Sequence, residues 1–319
     1  SSYQGLENYE EALSYEKKAY DIVKKNKKKH VATIIDIQKN MGSIYEKQDN
    51  YKEAQKIYAK RLNFVKKFLS QQNLEYDKAV YDLGALYWKF DNKEEALRNL
   101  TLLARALKTS SKKEGSQPLA AKCYNHLGLI MKEKGNNKLA LKFYRMTLKI
   151  LTASRANQKG ADIDIPRLYY NMALVQKNQM DFRGAWKNLR RSLELETESY
   201  TRQENKIKDI IKLMVFITRI IPELKEEMLG GMQWLEKKFK EEEARSSLRS
   251  TTASRGRSPF MSPFDFQKIR ESITTNPRMT TAAAHENDDD EEDDGIEVMD
   301  ATIITQSSCD NTPLLGKMM

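Results

Sequence analysis

Histidines, cysteines and glycine-rich loops are where catalysis would first show, and here they form no constellation. The three histidines (His30, His126, His285) and two cysteines (Cys123, Cys309) are few and spread along the chain, and no zinc cluster can be built from two cysteines so placed. No G-x-x-x-x-G-K-[S/T] loop, G-x-S-x-G elbow or G-x-G-x-x-G turn occurs, so the phosphate cradle, the activated serine and the dinucleotide fingerprint are all missing. The residues that do recur at a fixed offset are amides, cations and aromatics. Asn40, Asp82, His126 and Asn171 each stand two places before a small residue, and Lys39, Tyr81, Asn125 and Tyr170 precede them. Asp36, Lys78, Lys122 and Arg167 lie one helical turn earlier, and Lys47, Trp88 and Lys89 follow toward the next break. Amide side chains pair with a peptide backbone and cations attract carboxylates. That is the chemistry of holding an extended, acidic peptide, and it implies no metal, cofactor or small-molecule substrate.

The elements that must position these side chains are written in an internal repeat. The phrases YEEALSYEKKA, YKEAQKIYAKR, KEEALRNLTLL, KLALKFYRMTL and RGAWKNLRRSL place an alanine at Ala12, Ala54, Ala96, Ala140 and Ala185, at spacings of 42, 42, 44 and 45 residues. Twelve residues before the last four stands another small residue: Gly42, Gly84, Gly128 and Ala173. Between the two lies a polar break of turn formers, such as Gln48-Asp49-Asn50 and Gly135-Asn136-Asn137. Paired helices with a small residue on each can approach closely, and a pair that cannot bury its own face must stack on the next. Tyr45 and Tyr87, three residues after the small position, are expected to wedge between helices.

This pattern resembles the tetratricopeptide-repeat (TPR) superfamily from about Tyr9 to Thr197. The period is longer than the roughly 34 residues of the standard repeat, and the extended helices are similar to those of kinesin light chains and Pins-type spindle-orientation adaptors. The resemblance implies an all-α fold, a right-handed superhelical solenoid in which the first helix of each hairpin lines a concave groove. It thereby implies that the recurring amides and cations above face that groove. The segment AVYDLGALYWKFDNKEEALRNL further resembles repeats of tonsoku-like proteins, which would imply a scaffold in chromatin and replication-associated repair. The ankyrin repeats through which that family reads histone tails are absent from this sequence. A cytoskeletal or cargo adaptor and a ciliary assembly protein are the competing readings, and all three are non-catalytic scaffolds.

The expected organisation has three parts. Residues 1–200 hold about four and a half repeats, the first reduced to its second helix, so that the chain reads as beginning inside a larger array. Residues 201–245 hold two capping helices, about Glu204 to Ile221 and Glu223 to Ala244, the latter with Met228, Leu229, Trp234, Leu235 and Phe239 on one face and a possible bend at Gly230-Gly231. Residues 246–319 read as a disordered tail, too poor in apolar residues to order itself. Ser258 and Ser262, each before a proline, are phosphorylation candidates, and Phe260, Phe264, Phe266 and Ile269 suggest a short docking helix.

Charge divides along the same lines. Of 55 basic and 45 acidic residues, 48 and 32 precede Ser246, while 7 and 13 follow it. The basic body invites acidic partners. The block Glu286 to Asp294 (residues 286–294) reads as a solvated spacer, a site for histones or other basic proteins, or a clamp on the basic groove. The run KKNKKKH lacks the interleaved aromatics of a nucleic-acid site, which argues against direct nucleic-acid binding. No apolar run reaches the ~20 residues of a membrane span, and two cysteines suit a reducing, intracellular compartment, nuclear or cytoplasmic. If the acidic block clamps the groove, deleting residues 286–294 raises partner affinity, most strongly at low salt; unchanged affinity in a titration assigns it to the spacer role.

Overall fold

The computed structural model describes residues 2–109, 115–153, 155–198, 204–249 and 263–274. They form thirteen α-helices and two short 3-10 turns, with no strand among the described residues. Contacts divide the chain into two compact units, one drawn from Ser1–Ile163 and one from Asp164–Asp290. Ser258, Ser262 and the acidic block 286–294 lie outside the described residues.

In the first unit, α1 (Ser2–Val23) precedes three helical hairpins: α2 (Val31–Lys47) with α3 (Tyr51–Phe68), α4 (Leu74–Lys89) with α5 (Lys93–Thr109), and α6 (Ser116–Glu133) with α7 (Asn137–Ala153). A short helix, α8 (Arg155–Ala161), packs back on α6 and α7. The second unit continues the pattern with α9 (Ile165–Asn178) and α10 (Phe182–Glu198), then α11 (Glu204–Ile220), α12 (Lys225–Arg249) and α13 (Pro263–Thr274). Consecutive helices in each unit pack on one another, so both are stacked all-α repeat folds.

Each hairpin turns in the same way. The first helix ends in a residue of left-handed backbone at Asp49 (φ 53°), Asp91 (φ 61°), Gly135 (φ 75°) and Met180 (φ 63°). The next amide reaches back five residues, Asn50 to Tyr45, Asn92 to Tyr87, Asn136 to Met131 and Asp181 to Gln176, each at 2.9 Å. This closes the orphan carbonyls of the helix end. The same Asn or Asp then caps the second helix, its side-chain oxygen accepting from the N–H of Glu53 (3.3 Å), Glu95 (3.4 Å), Leu139 (3.1 Å) or Gly184 (2.8 Å). The polar breaks read from sequence are therefore two-sided caps: one residue ends a helix and its neighbour starts the next.

The second helices bury one stripe, at offsets 0, 4, 7 and 11 from the repeat alanine. Ala54, Tyr58, Arg61 and Val65 fill it in α3; Ala96, Leu100, Leu103 and Leu107 in α5; Ala140, Tyr144, Thr147 and Leu151 in α7; Ala185, Leu189, Ser192 and Glu196 in α10, all buried. The offset-4 side chain lies against the small residue of the first helix. A methyl placed on Gly42 would collide with the Tyr58 ring, one on Gly128 would lie 2.5 Å from Tyr144, and one on Gly84 would lie 3.0 Å from Leu100. Opposite Leu189 the chain itself carries Ala173, fully buried. A tyrosine thus demands glycine across the hairpin, whereas a leucine accepts alanine. Tyr87, at the wedge position, is buried and accepts from Gln55 Nε2 at 3.3 Å, tying α4 to the preceding hairpin.

In the second unit one apolar cluster joins α9 to α13, with Leu189 and Trp186 of α10, Ile207, Ile210, Met214 and Ile217 of α11, Met228, Met232 and Leu235 of α12, and Ile273 of α13. The α12 stripe departs from the expected one: Met232 is buried, while Trp234 is 47% exposed under Lys238, 4.8 Å from its ring centroid. Residues 228, 232 and 235 follow the 3.6-residue period and 234 falls off it. The helix also runs unbroken through Gly230-Gly231. Residues 263–274, within the stretch expected to be disordered, are helical and contribute buried Ile273 to the core.

The glycine rule predicts opposite outcomes for two identical changes. Gly128→Ala forces the Tyr144 ring to move and is expected to cost ~1–3 kcal/mol as overpacking. Gly84→Ala needs only a small shift of Leu100 and gains ~1 kcal/mol of helix propensity, so its thermal midpoint should equal or exceed that of the parent; both are measured by thermal melts.

Candidate functional site

The side chains picked out by spacing lie on the first helices of the hairpins, and in the first unit the structure brings several together. Asp82 of α4 is the centre. Its carboxylate pairs with the guanidinium of Arg61 from α3, which also reaches Glu75 Oε2 at 3.3 Å. Lys39 of α2 and Lys122 of α6 both act on Asp82 electrostatically. Burial lifts the Asp82 carboxyl above the usual carboxylate range despite the pull of these three cations. Charged side chains thus lie on all three first helices of the unit, Lys39 on α2, Asp82 on α4 and Lys122 on α6.

Beside it, Tyr81 of α4 meets His126 of α6 edge-on, with ring centroids 5.6 Å apart and the hydroxyl 3.2 Å from Nδ1. The same nitrogen lies 3.1 Å from the Lys122 carbonyl. Burial pushes the imidazole pKa down, so His126 is neutral at pH 7, and burial pushes the Tyr81 phenol up. This rung therefore presents an aromatic, hydrogen-bonding surface and no cation.

The remaining sequence-selected residues divide. Lys39, Asn40 and Lys47 are exposed on α2, with Asn40 donating to Glu16 of α1 at 2.8 Å. Lys78 pairs with Glu75 at 2.7 Å, and Lys89 donates to the Glu46 carbonyl at 2.6 Å, so both cations are partly spent on the fold. Trp88, Lys122 and Asn125 are half-buried. Arg167, Tyr170 and Asn171 belong to the second unit, where Arg167 is exposed, Tyr170 packs on the apolar cluster and Asn171 is buried. Arg61, Lys78 and Lys89 are engaged by Asp82, Glu75 and the Glu46 carbonyl, while Lys39 is exposed and Lys122 half-buried, with exposed Asp36 one turn before Asn40 on α2.

Arg61 is the residue that reading from sequence missed. Its side chain is 1% exposed at the offset-7 position, where the other repeats place Leu103, Thr147 and Ser192. Two departures mark the spot: a cation at an interior position of one repeat, and an aspartate in place of the amide in the next. Each alone looks like drift, and together they are an ion pair between hairpins. Cys123 is buried, and burial raises its thiol pKa, which makes it an unreactive packing residue. Among the described residues no group of three or more His, Cys, Asp or Glu could hold a metal ion, and no helix is long and apolar enough to cross a membrane.

Residues 37–62, covering the first small residue, the turn and the first two-thirds of α3, match the tetratricopeptide repeat family model. That match spans one repeat unit of the chain. None of the proteins of curated function matches this sequence significantly. Among solved structures, BtubC (BKLC) from P. vanneervenii is similar in fold, with a TM-score of 0.56 and 13% identity over 88% of this chain and 98% of that one. More distant are MamA, with a TM-score of 0.41 and 21% identity over 61% of this chain and 92% of that one, and a Podosopora anserina protein of kinesin light chain type with nearly identical TPR-like repeats, with a TM-score of 0.45 and 12% identity over 68% and 96%. The fold shared with BtubC is a TPR-like stack of helical hairpins.

Loss of Asp82 should be felt in the fold as well as on its surface. Asp82→Asn leaves the buried Arg61 charge with Glu75 alone and is expected to cost about 2–3 kcal/mol in urea unfolding, below the full penalty of a stranded buried charge because Glu75 stays. A loss of under 0.5 kcal/mol, the range of an ordinary surface change, would mean the pair is not a structural tie.

Proposed function

We propose that this protein is a non-catalytic interaction scaffold that holds an extended peptide along the first helices of the first unit, across α2, α4 and α6. The observation that supports this reading is the Tyr81–His126 pair joining α4 to α6 next to Asp82, a carboxylate on which Lys39 of α2 and Lys122 of α6 both act. Helices packed on one another, as α4 and α6 are, lie about 8–10 Å apart, which is roughly three residues of extended chain at about 3.3 Å each. One peptide can therefore address each rung in turn with every third side chain. Lys39 and Lys122 would take carboxylates, while Asn125 and the polar edge of the Tyr81–His126 pair would meet the peptide backbone. The arrangement favours an acidic ligand flanking a small or aromatic residue over Asp82.

The chromatin and repair role rests on the resemblance of residues 79–100 to tonsoku-like repeats, and the cytoskeletal role on repeat length. A role for the acidic block 286–294 in engaging histones or other basic proteins is a separate proposal that the groove does not depend on.

Panning the full-length protein against a peptide library is expected to enrich sequences with two acidic residues about six positions apart, the span of two rungs. Lys39→Glu combined with Lys122→Glu should lower affinity for a selected peptide roughly tenfold or more, as expected when buried or partly buried charge pairs are reversed. Lys78→Glu should do less, because Glu75 already occupies Lys78. Unchanged binding by the double variant would move the interface off this face.

A further inference from the structure

The second unit carries a helix that sits on the fold as a ligand sits on a receptor. Helix α13 has 12 residues, a length at which an isolated helix is marginal in water, so its order comes from docking. It touches α11 and α12: among its described side chains, Ile273 is buried and Ile269 partly buried in the apolar cluster, while Gln267, Lys268, Glu271 and Thr274 are exposed. Arg270, between the two isoleucines, pairs with Glu236 of α12. The cluster it joins contains three methionines, Met214, Met228 and Met232, flexible and polarisable side chains that repack around different partners. Glu236 also keeps Lys240 at 3.0 Å, so departure of Arg270 strands no carboxylate.

We propose that α11 and α12 form a helix-binding groove, that α13 is its resident ligand in cis, and that the groove accepts in its place a partner's amphipathic helix with two aliphatic residues four apart and a basic residue directly after the first. The spacing is that of Ile269, Arg270 and Ile273. The basic residue answers Glu236 and the aliphatic pair covers the methionine floor. The tethered α13 holds the groove through its high local concentration, and an untethered helix must outcompete it or arrive when it is released. This surface is distinct from the peptide-holding face of the first unit, and its test is independent of that reading.

A fluorescent synthetic peptide of the α13 sequence, PFDFQKIRESIT, is titrated into the full-length protein and into its Ile269→Ala/Ile273→Ala variant. The variant, its own helix released, is expected to bind roughly tenfold or more tightly than the parent. Glu236→Arg in that background should abolish the gain, and a peptide carrying Glu in place of Arg270 should restore it. In the otherwise native chain, Glu236→Arg should speed amide exchange in residues 263–274 roughly tenfold while leaving α11 and α12 unchanged. Equal peptide binding by parent and released variant overturns the proposal. So does loss of the cooperative melt in the released variant, or exchange that rises through α11 and α12 together, since either makes α13 an inseparable part of the core. A concentration-dependent dimer of the parent in sedimentation would also overturn it, by making a second copy the occupant.

Discussion

The contact on which the rest depends is the approach of a small residue on one helix to a large side chain on the next. Gly42 against Tyr58, Gly84 against Leu100, Gly128 against Tyr144 and Ala173 against Leu189 set how closely each hairpin closes. With no side chain at the contact on the first helix, the ring or branched chain of the second can fill the gap completely. The orientation of the first helix follows from this. One face is committed to the hairpin and to its neighbours, and the residues two places before the small one turn away from it. The recurrence of Asp82 and His126 on adjacent helices is a consequence of that rotation.

The turn that joins the two helices makes the contact repeatable. A left-handed residue closes the first helix and its neighbour caps the second, so the two helix axes leave the turn at a fixed angle. Three of the four left-handed positions carry Asp or Gly, which adopt that backbone readily, and the fourth carries Met180, exposed and bearing the steric cost of a larger side chain. Variation in repeat length falls elsewhere, between hairpins, as at α8.

Stacking of hairpins rests on a second set of contacts that are polar. Arg61 to Asp82, Gln55 to Tyr87 and Tyr81 to His126 each cross from one hairpin to another. A buried ion pair is a poor source of stability compared with apolar packing, because both groups lose water. It is strict about registry, however, since a slip that separates Arg61 from Asp82 leaves two uncompensated charges. The same aspartate that fixes the register is acted on by Lys39 and Lys122, so the tie between hairpins also shapes the charge of the candidate peptide face. In the second unit the apolar cluster continues onto α13 through Ile269 and Ile273, with Arg270 paired to Glu236 beside them.

The sequence by itself determined the repeat, the helix pairs and their turns, because these depend on local features: small residues at fixed separations, turn formers between them and apolar stripes at helical period. It also marked the first-helix positions of the candidate face, since position along a helix fixes direction. Only the tertiary structure showed that Asp82 is matched by Arg61, that Lys78 and Lys89 are engaged by the fold, and that Asn171 is buried. Such pairings join residues tens of positions apart, and no local pattern records which side chain another helix brings opposite. The α12 stripe illustrates the same limit at short range, with Trp234 exposed and Met232 buried. Helix α13 was legible in part: Phe264, Phe266 and Ile269 suggest a short docking helix in a polar tail, but the surface that receives it, made by α11 and α12, exists only in the fold.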